Sequence, residues 1–149
     1  MTHKILVCGS RKFGNFEYWR EDYGAEVARQ IYERHWNLCR RYMDFYLQHI
    51  LHEGVVIIHG GAKGADTLAD RYSREVLGQQ PIIFLPDWNK LGKKAGFARN
   101  SQMINVADLV VAFWDGESRG TKDSIDKAYA SDTVQDVKIV RWDKKLGAK

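Results

Sequence analysis

The chain has 149 residues, 44% of them hydrophobic, which is enough for one well-buried core and too little for two ordinary domains. A formal charge of +4 and a pI near 9.1 favour anionic partners. The charges are interspersed, however, with no run of five of one sign, a balance that suits nucleotides and leaves nucleic acid open. From Met1 the chain runs into a short apolar segment ending at Cys8, far short of a bilayer span, so neither export nor a membrane is expected and the cytoplasm is the expected location.

In chain order, apolar runs suited to strands buried on both faces fall at residues 4–8, 55–59, 81–85, 109–113 and 137–142. Helical spacing fills the gaps at residues 22–52, 66–77, 97–106 and 121–131. Strand and helix alternate, which predicts one α/β domain over residues 1–149: a Rossmann-like parallel sheet of about five strands with helices on both faces.

The first helical segment, opening at Asp22 and closing at His52, is unusually long. Ile31, Leu38, Tyr42, Phe45 and Ile50 share one face, while Tyr32, Trp36, Cys39, Met43 and Leu47 form a neighbouring stripe. The first stripe is assigned to the core. The second exceeds what one small sheet can cover and is assigned to self-association, so a homo-oligomer is expected.

In open parallel sheets the ligand crevice lies beyond the carboxyl ends of the strands, so the loops after the strands carry the candidate site. After the first strand come Gly9, Ser10 and Arg11, a tight turn with two donors for an anion. After the second come Gly60, Gly61, Ala62, Lys63, Gly64, Ala65 and Asp66, whose glycines would expose backbone amides at a helix N-terminus to phosphate. A purely structural reading, given equal weight, makes Asp66 an N-cap and the glycines a tight turn. The loop lacks the Gly-Lys-Ser/Thr ending of a Walker A motif, so triphosphate hydrolysis is not expected.

After the third strand, Asp87 and Trp88 lead into a basic loop with Lys94, Arg99 and Asn100. Trp88 is a platform for a base or a packing residue, and Lys94 and Arg99 are phosphate partners. After the fourth strand, Phe113 and Trp114 are candidate walls. Asp115, Ser118, Gly120 and Thr121 then form a second anion-binding turn. Several turns of this composition around one crevice point to a phosphate-bearing ligand.

The five histidines show no zinc motif, and Cys8 and Cys39 lack metal-ligand spacing and read as reduced packing residues, so neither metal nor cofactor is expected. No G-x-S-x-G elbow is present. Asp66, Asp115 and Asp123 are the candidate acids or bases if there is turnover, with Asp87 a further carboxylate.

The combination of Gly9-Ser10-Arg11, the turn from Gly60 to Asp66, Ala95-Gly96 with Arg99-Asn100 and Met103, and Ser118-Arg119-Gly120-Thr121 resembles the YspA-like branch of the SLOG superfamily over nearly the whole chain. The resemblance implies a Rossmann-like fold that binds nucleotides, nucleotide-derived signals or nucleic acid. Its relatives include the Lonely Guy phosphoribohydrolases and the single-stranded-DNA-binding protein DprA. The first implies N-glycosidic hydrolysis as one alternative function, and the second implies nucleic-acid binding as another. In the Lonely Guy enzymes a Pro-Gly-Gly-x-Gly-Thr-x-x-Glu loop supplies a catalytic glutamate. Gly120-Thr121 match that loop, but the glutamate position is Ser124, and Asp123 is rotated about 100° round the helix. Binding or sensing without turnover is therefore the leading expectation.

Overall fold

A computed structural model describes residues 2–143. Its centre is a five-stranded, all-parallel sheet of β1 (His3–Gly9), β2 (Val55–His59), β3 (Ile82–Ile83), β4 (Leu109–Trp114) and β5 (Asp136–Arg141). The strand order is β3-β2-β1-β4-β5. The Rossmann-like α/β expectation holds.

Alternation along each strand divides the core into two layers. Ile5, Val7, Ile57, Val111 and Phe113 face one side, where they meet α1 (Phe16–Leu47) and α2 (Ala65–Arg71). Leu6, Ile58, Val110 and Ala112 face the other and meet α4 (Ala95–Val106) and α5 (Arg119–Ala130). Ile5 lies opposite Ile57 on one neighbour and Leu109 on the other, so β1 is enclosed by strands as well as by helices. Full burial of side chains of this size contributes roughly 1.5–3 kcal/mol each, which is why the central strands are the fixed frame of the molecule.

Helix α1 begins six residues before the expected start, because the Asn15 side chain caps it by accepting the Tyr18 amide at 3.1 Å. Its helical geometry breaks at Gly24, and a short 3₁₀ turn (Leu51–Glu53) follows it. The first stripe packs on the core through Ile31, Leu38, Tyr42 and Ile50 as expected, but the assignment of Phe45 and of the second stripe is corrected. Trp36, Cys39, Met43 and Leu47, assigned to self-association, are buried in the core, whereas Phe45, assigned to the core, is 62% exposed. The reason is shared cover: α1 packs against α2 as well as the sheet, and the Arg71 guanidinium lies 4.0 Å from the centre of the Trp36 ring. Most of the stripe that suggested an oligomer is thus covered within the chain itself.

Beyond α2 the chain makes a π-helical turn (Tyr72–Val76), and β3 is only two residues long where five were expected. An unforeseen one-turn helix, α3 (Trp88–Leu91), follows. Both cysteines are buried free thiols. Among the described residues no helix is long and apolar enough to cross a membrane.

Candidate functional site

From β1 the chain steps outward to β2 and β3, then returns to β1's other side for β4 and β5. The loops after β1 and β4 therefore diverge and leave a crevice between them at the carboxyl ends of the strands. A cleft of about 570 Å³ occupies this place, within the usual span of small-ligand pockets.

Its floor is formed by Cys8, Met103 and Ser124, all buried. Burial, reinforced by the nearby Asp66 carboxylate, pushes the Cys8 thiol well above its ordinary range against a hydrogen bond with Ser124, so it stays neutral. One wall is the turn after β1, with Ser10, Arg11 and Lys12. Ser10 Oγ accepts the Lys12 amide at 3.1 Å, and among the described residues no ion pair holds the exposed Arg11 guanidinium. A second wall carries Trp88, Lys93 and Phe97.

The third wall is the turn into α5. Asp115 Oδ1 accepts the amides of Glu117 and Ser118, both at 2.9 Å, closing the turn and leaving Gly120 and Thr121 in the first turn of the helix, on the cleft. The positive end of the helix dipole is thereby presented to a ligand.

The turn after β2 behaves differently from expectation. The amides of Gly60 and Ala62 both donate to Asp66 Oδ2 at 3.1 Å, and the Gly61 amide donates to His59 Nδ1 at 3.0 Å. The Ala65 amide, at the start of α2, donates to the Ser10 carbonyl at 3.1 Å. These amides serve the protein's own acceptors, so the glycines brace the cleft from behind and only Ala62 and Asp66 line it. With Nδ1 accepting, the His59 proton sits on Nε2 and is donated to Asp70 at 2.9 Å. Burial raises the Asp66 carboxyl above the ordinary carboxylate range, opposed by the Ala62 amide, His59, Arg99 and the Gly60 amide.

Gly64, at φ 89°, lets this turn close, since a Cβ there would lie 2.5 Å from Arg11 Cα and also meet the Ser10 carbonyl oxygen. At Gly60 the approach is also close: a Cβ would sit 2.5 Å from an Arg99 guanidinium nitrogen, so that side chain would have to shift. Arg99 uses that guanidinium to donate to the Gly60 carbonyl and to Asn100 Oδ1. Asn100 in turn donates to Asp123 at 3.2 Å and to the Gly120 carbonyl at 3.4 Å. Burial lowers the Arg99 pKa, with Asp66 opposing and Arg11 assisting.

Other expected residues lie off the cleft. Lys63 and Lys94 are exposed and do not line it; Lys93 does, because the 3₁₀ turn (Gly92–Lys94) sets the register. Asp87 caps α3 by accepting the Lys90 amide at 3.1 Å. Phe113 points to the opposite face of the sheet and stacks on Phe13 at 5.0 Å between ring centres. Asp123 turns away to Lys127 at 2.8 Å, as the helical rotation anticipates. Lys12, Lys93, Phe97 and Glu117 line the cleft without having been nominated. Ser124 was legible in principle, three residues after Thr121 on the same helical face.

A model of the YspA, cpYpsA-related SLOG family matches residues 3–91. The chain belongs to this family. A 74-residue stretch is also 43% identical to the Gene 61 protein of Mycobacterium phage D29, covering 46% of this chain and 59% of that protein. The chain thus spans less than two thirds of that relative's length. No solved structure matches it. Membership of the SLOG family suggests nucleotide-related binding or processing. Within this member, the family match ends just after α3, so it supplies the turn after β1, Ala62, Asp66 and Trp88, while the α4 and α5 walls come from beyond it.

Proposed function

We propose that this chain binds or senses a nucleotide or nucleotide-derived small molecule in the cleft between β1 and β4, with the ligand phosphate held by Arg11, Ser10 and the first turn of α5. The observation that carries the reading is the convergence at one topological switch point of Arg11, Lys12 and Lys93 with the amide end of a twelve-residue helix. Family membership and the net charge of +4 agree with it.

The two aspartates of the cleft favour binding over hydrolysis. Asp66 and Asp115 each use an oxygen to hold two backbone amides, and the floor carries Ser124 where the hydrolases place a glutamate. A group that anchors a turn is poorly placed to shuttle a proton.

The test incubates the purified chain with nucleoside monophosphates, dinucleotide cofactors and cyclic nucleotides, and follows bound ligand and products by mass spectrometry. Arg11→Ala is the control, because Arg99 also holds the Gly60 carbonyl and its removal would disturb the turn. Recovery of an intact ligand, weakened at least tenfold in the variant, is expected. Release of free base would replace the reading with hydrolysis, and no binding by any compound would overturn it.

A further inference from the structure

We propose that Trp88 is the stacking platform for the ligand's aromatic base, so that the cleft selects a nucleotide over a base-free sugar phosphate. This deepens the phosphate-binding reading and rests on it.

The argument starts from the five tryptophans of the chain. Trp19 donates its indole N–H to the Lys12 carbonyl at 2.8 Å, Trp142 to the Phe113 carbonyl and Trp114 to the Ser118 carbonyl, both at 3.2 Å. Trp36 is buried beneath the Arg71 guanidinium. Each of these four has a structural partner that accounts for its presence.

Trp88 has none of these. It is 51% exposed, it lines the cleft, and among the described residues it makes neither a side-chain hydrogen bond nor a ring contact. Its backbone is nevertheless fixed: Asp87 caps α3 in front of it, and the Gly92 amide donates to the Trp88 carbonyl behind it. The ring edge hangs over Gly96, where a Cβ would already be in van der Waals contact at 3.7 Å. Phe97, 46% exposed, stands next to Gly96 on the same wall, and Lys93 adds a cation there.

A large indole left half in water on a rigid one-turn helix loses little conformational freedom when a flat partner covers it. Nucleobases are such partners whatever their identity, since each presents a π face. The phosphate-binding groups lie on other walls, formed by the turns after β1 and β4. The ligand thus spans the cleft, with its anion at Arg11 and α5 and its base at Trp88.

The experiment measures, by calorimetry on the full chain, the affinities for the four common nucleoside 5′-monophosphates and for ribose 5-phosphate. Wild type, Trp88→Ala and Trp88→Phe are compared. At least one nucleotide is expected to bind about 5- to 150-fold more tightly than ribose 5-phosphate, the range that one stacked base supplies. Trp88→Ala should abolish that preference without changing ribose 5-phosphate affinity, and Trp88→Phe should restore most of it. The ligand-dependent change in tryptophan emission should fall sharply in Trp88→Phe, leaving at most the response of Trp114 beside the turn into α5.

Equal binding of nucleotides and ribose 5-phosphate by the wild type, or an unchanged preference in Trp88→Ala, would overturn the stacking role and leave phosphate binding standing. Binding of none of the five probes would overturn the stacking role, and the phosphate-binding reading would then stand or fall on the wider panel above.

Discussion

The turn after β2 and the turn after β4 are both rich in small residues and both open a helix at the same end of the sheet, yet they use their amides in opposite ways. In the first, Asp66 and His59 reach back and take the amides of Gly60, Gly61 and Ala62, and the Ser10 carbonyl takes that of Ala65. In the second, Asp115 takes the amides of Glu117 and Ser118, while Gly120 and Thr121 sit at the cleft on the first turn of α5. A glycine-rich turn before a helix thus offers its amides to an anion only where the chain does not supply its own acceptor.

If the first turn is a closed brace, the largest effect should come from forcing it open. Gly64→Ala places a Cβ against the backbone of Ser10 and Arg11 at a left-handed φ, and should lower unfolding stability by about 3 kcal/mol or more. Urea titration measures this directly. A loss below about 1 kcal/mol would mean that the turn yields easily and is no brace.

A buried histidine behind the turn after β1 gives the fold a pH signature. The Gly14 amide, at the far end of the turn after β1, donates to His35 Nδ1 at 2.8 Å; burial and the neighbouring Arg34 lower the His35 pKa from 6.5 to about 4. The unfolded chain takes up this proton first as pH falls. His35 thus contributes stability that is complete above about pH 6.5 and is lost as pH falls through about 4, a change of order 3 kcal/mol. Urea midpoints at pH 7 and pH 4.5 should converge in His35→Gln relative to wild type. Asp66 acts with the opposite sign, because its raised carboxyl keeps its proton longest in the folded state, so only the difference between variant and wild type isolates His35. The same pH dependence in both proteins would remove His35 from this role.

The smallest expected effect belongs to the open turn. A Cβ at Gly120 meets nothing within 4 Å, so Gly120→Ala should leave stability within about 1 kcal/mol of wild type, with any change in the direction of gain because alanine favours helix. A marked loss of stability would show that this turn, too, is packed against the protein and would erase the contrast.

The sheet was legible because its strands are continuous apolar runs, and burial on both faces leaves few alternatives for segments such as Ile5, Leu6 and Val7. Helix α1 was legible as a helix but not in its orientation. Phe45 and Trp36 belong to neighbouring stripes, and only the position of α2, which no local pattern encodes, decides which of them is buried. The site was legible as a set of loops, and Ser10, Arg11, Arg99, Ser118 and Thr121 are brought together there. The difference between Lys93 and Lys94 was not legible, since a 3₁₀ turn alters the register that helical spacing assumes. Nor was the inward use of Asp66: sequence offered a cap or a ligand contact, and the carboxylate instead reaches back to Gly60 and Ala62.

Arg99 and Asn100 couple these two unlike turns. Through one guanidinium and one carboxamide, adjacent on α4, they join the Gly60 carbonyl to the Gly120 carbonyl. In mechanical terms the pair is a tie-rod anchored at both rims of the cleft. Any pull on the first turn of α5 is therefore passed to the turn after β2, and through His59 to Asp70 behind. Under the binding proposed above, the closed turn would register a phosphate at α5 without holding it.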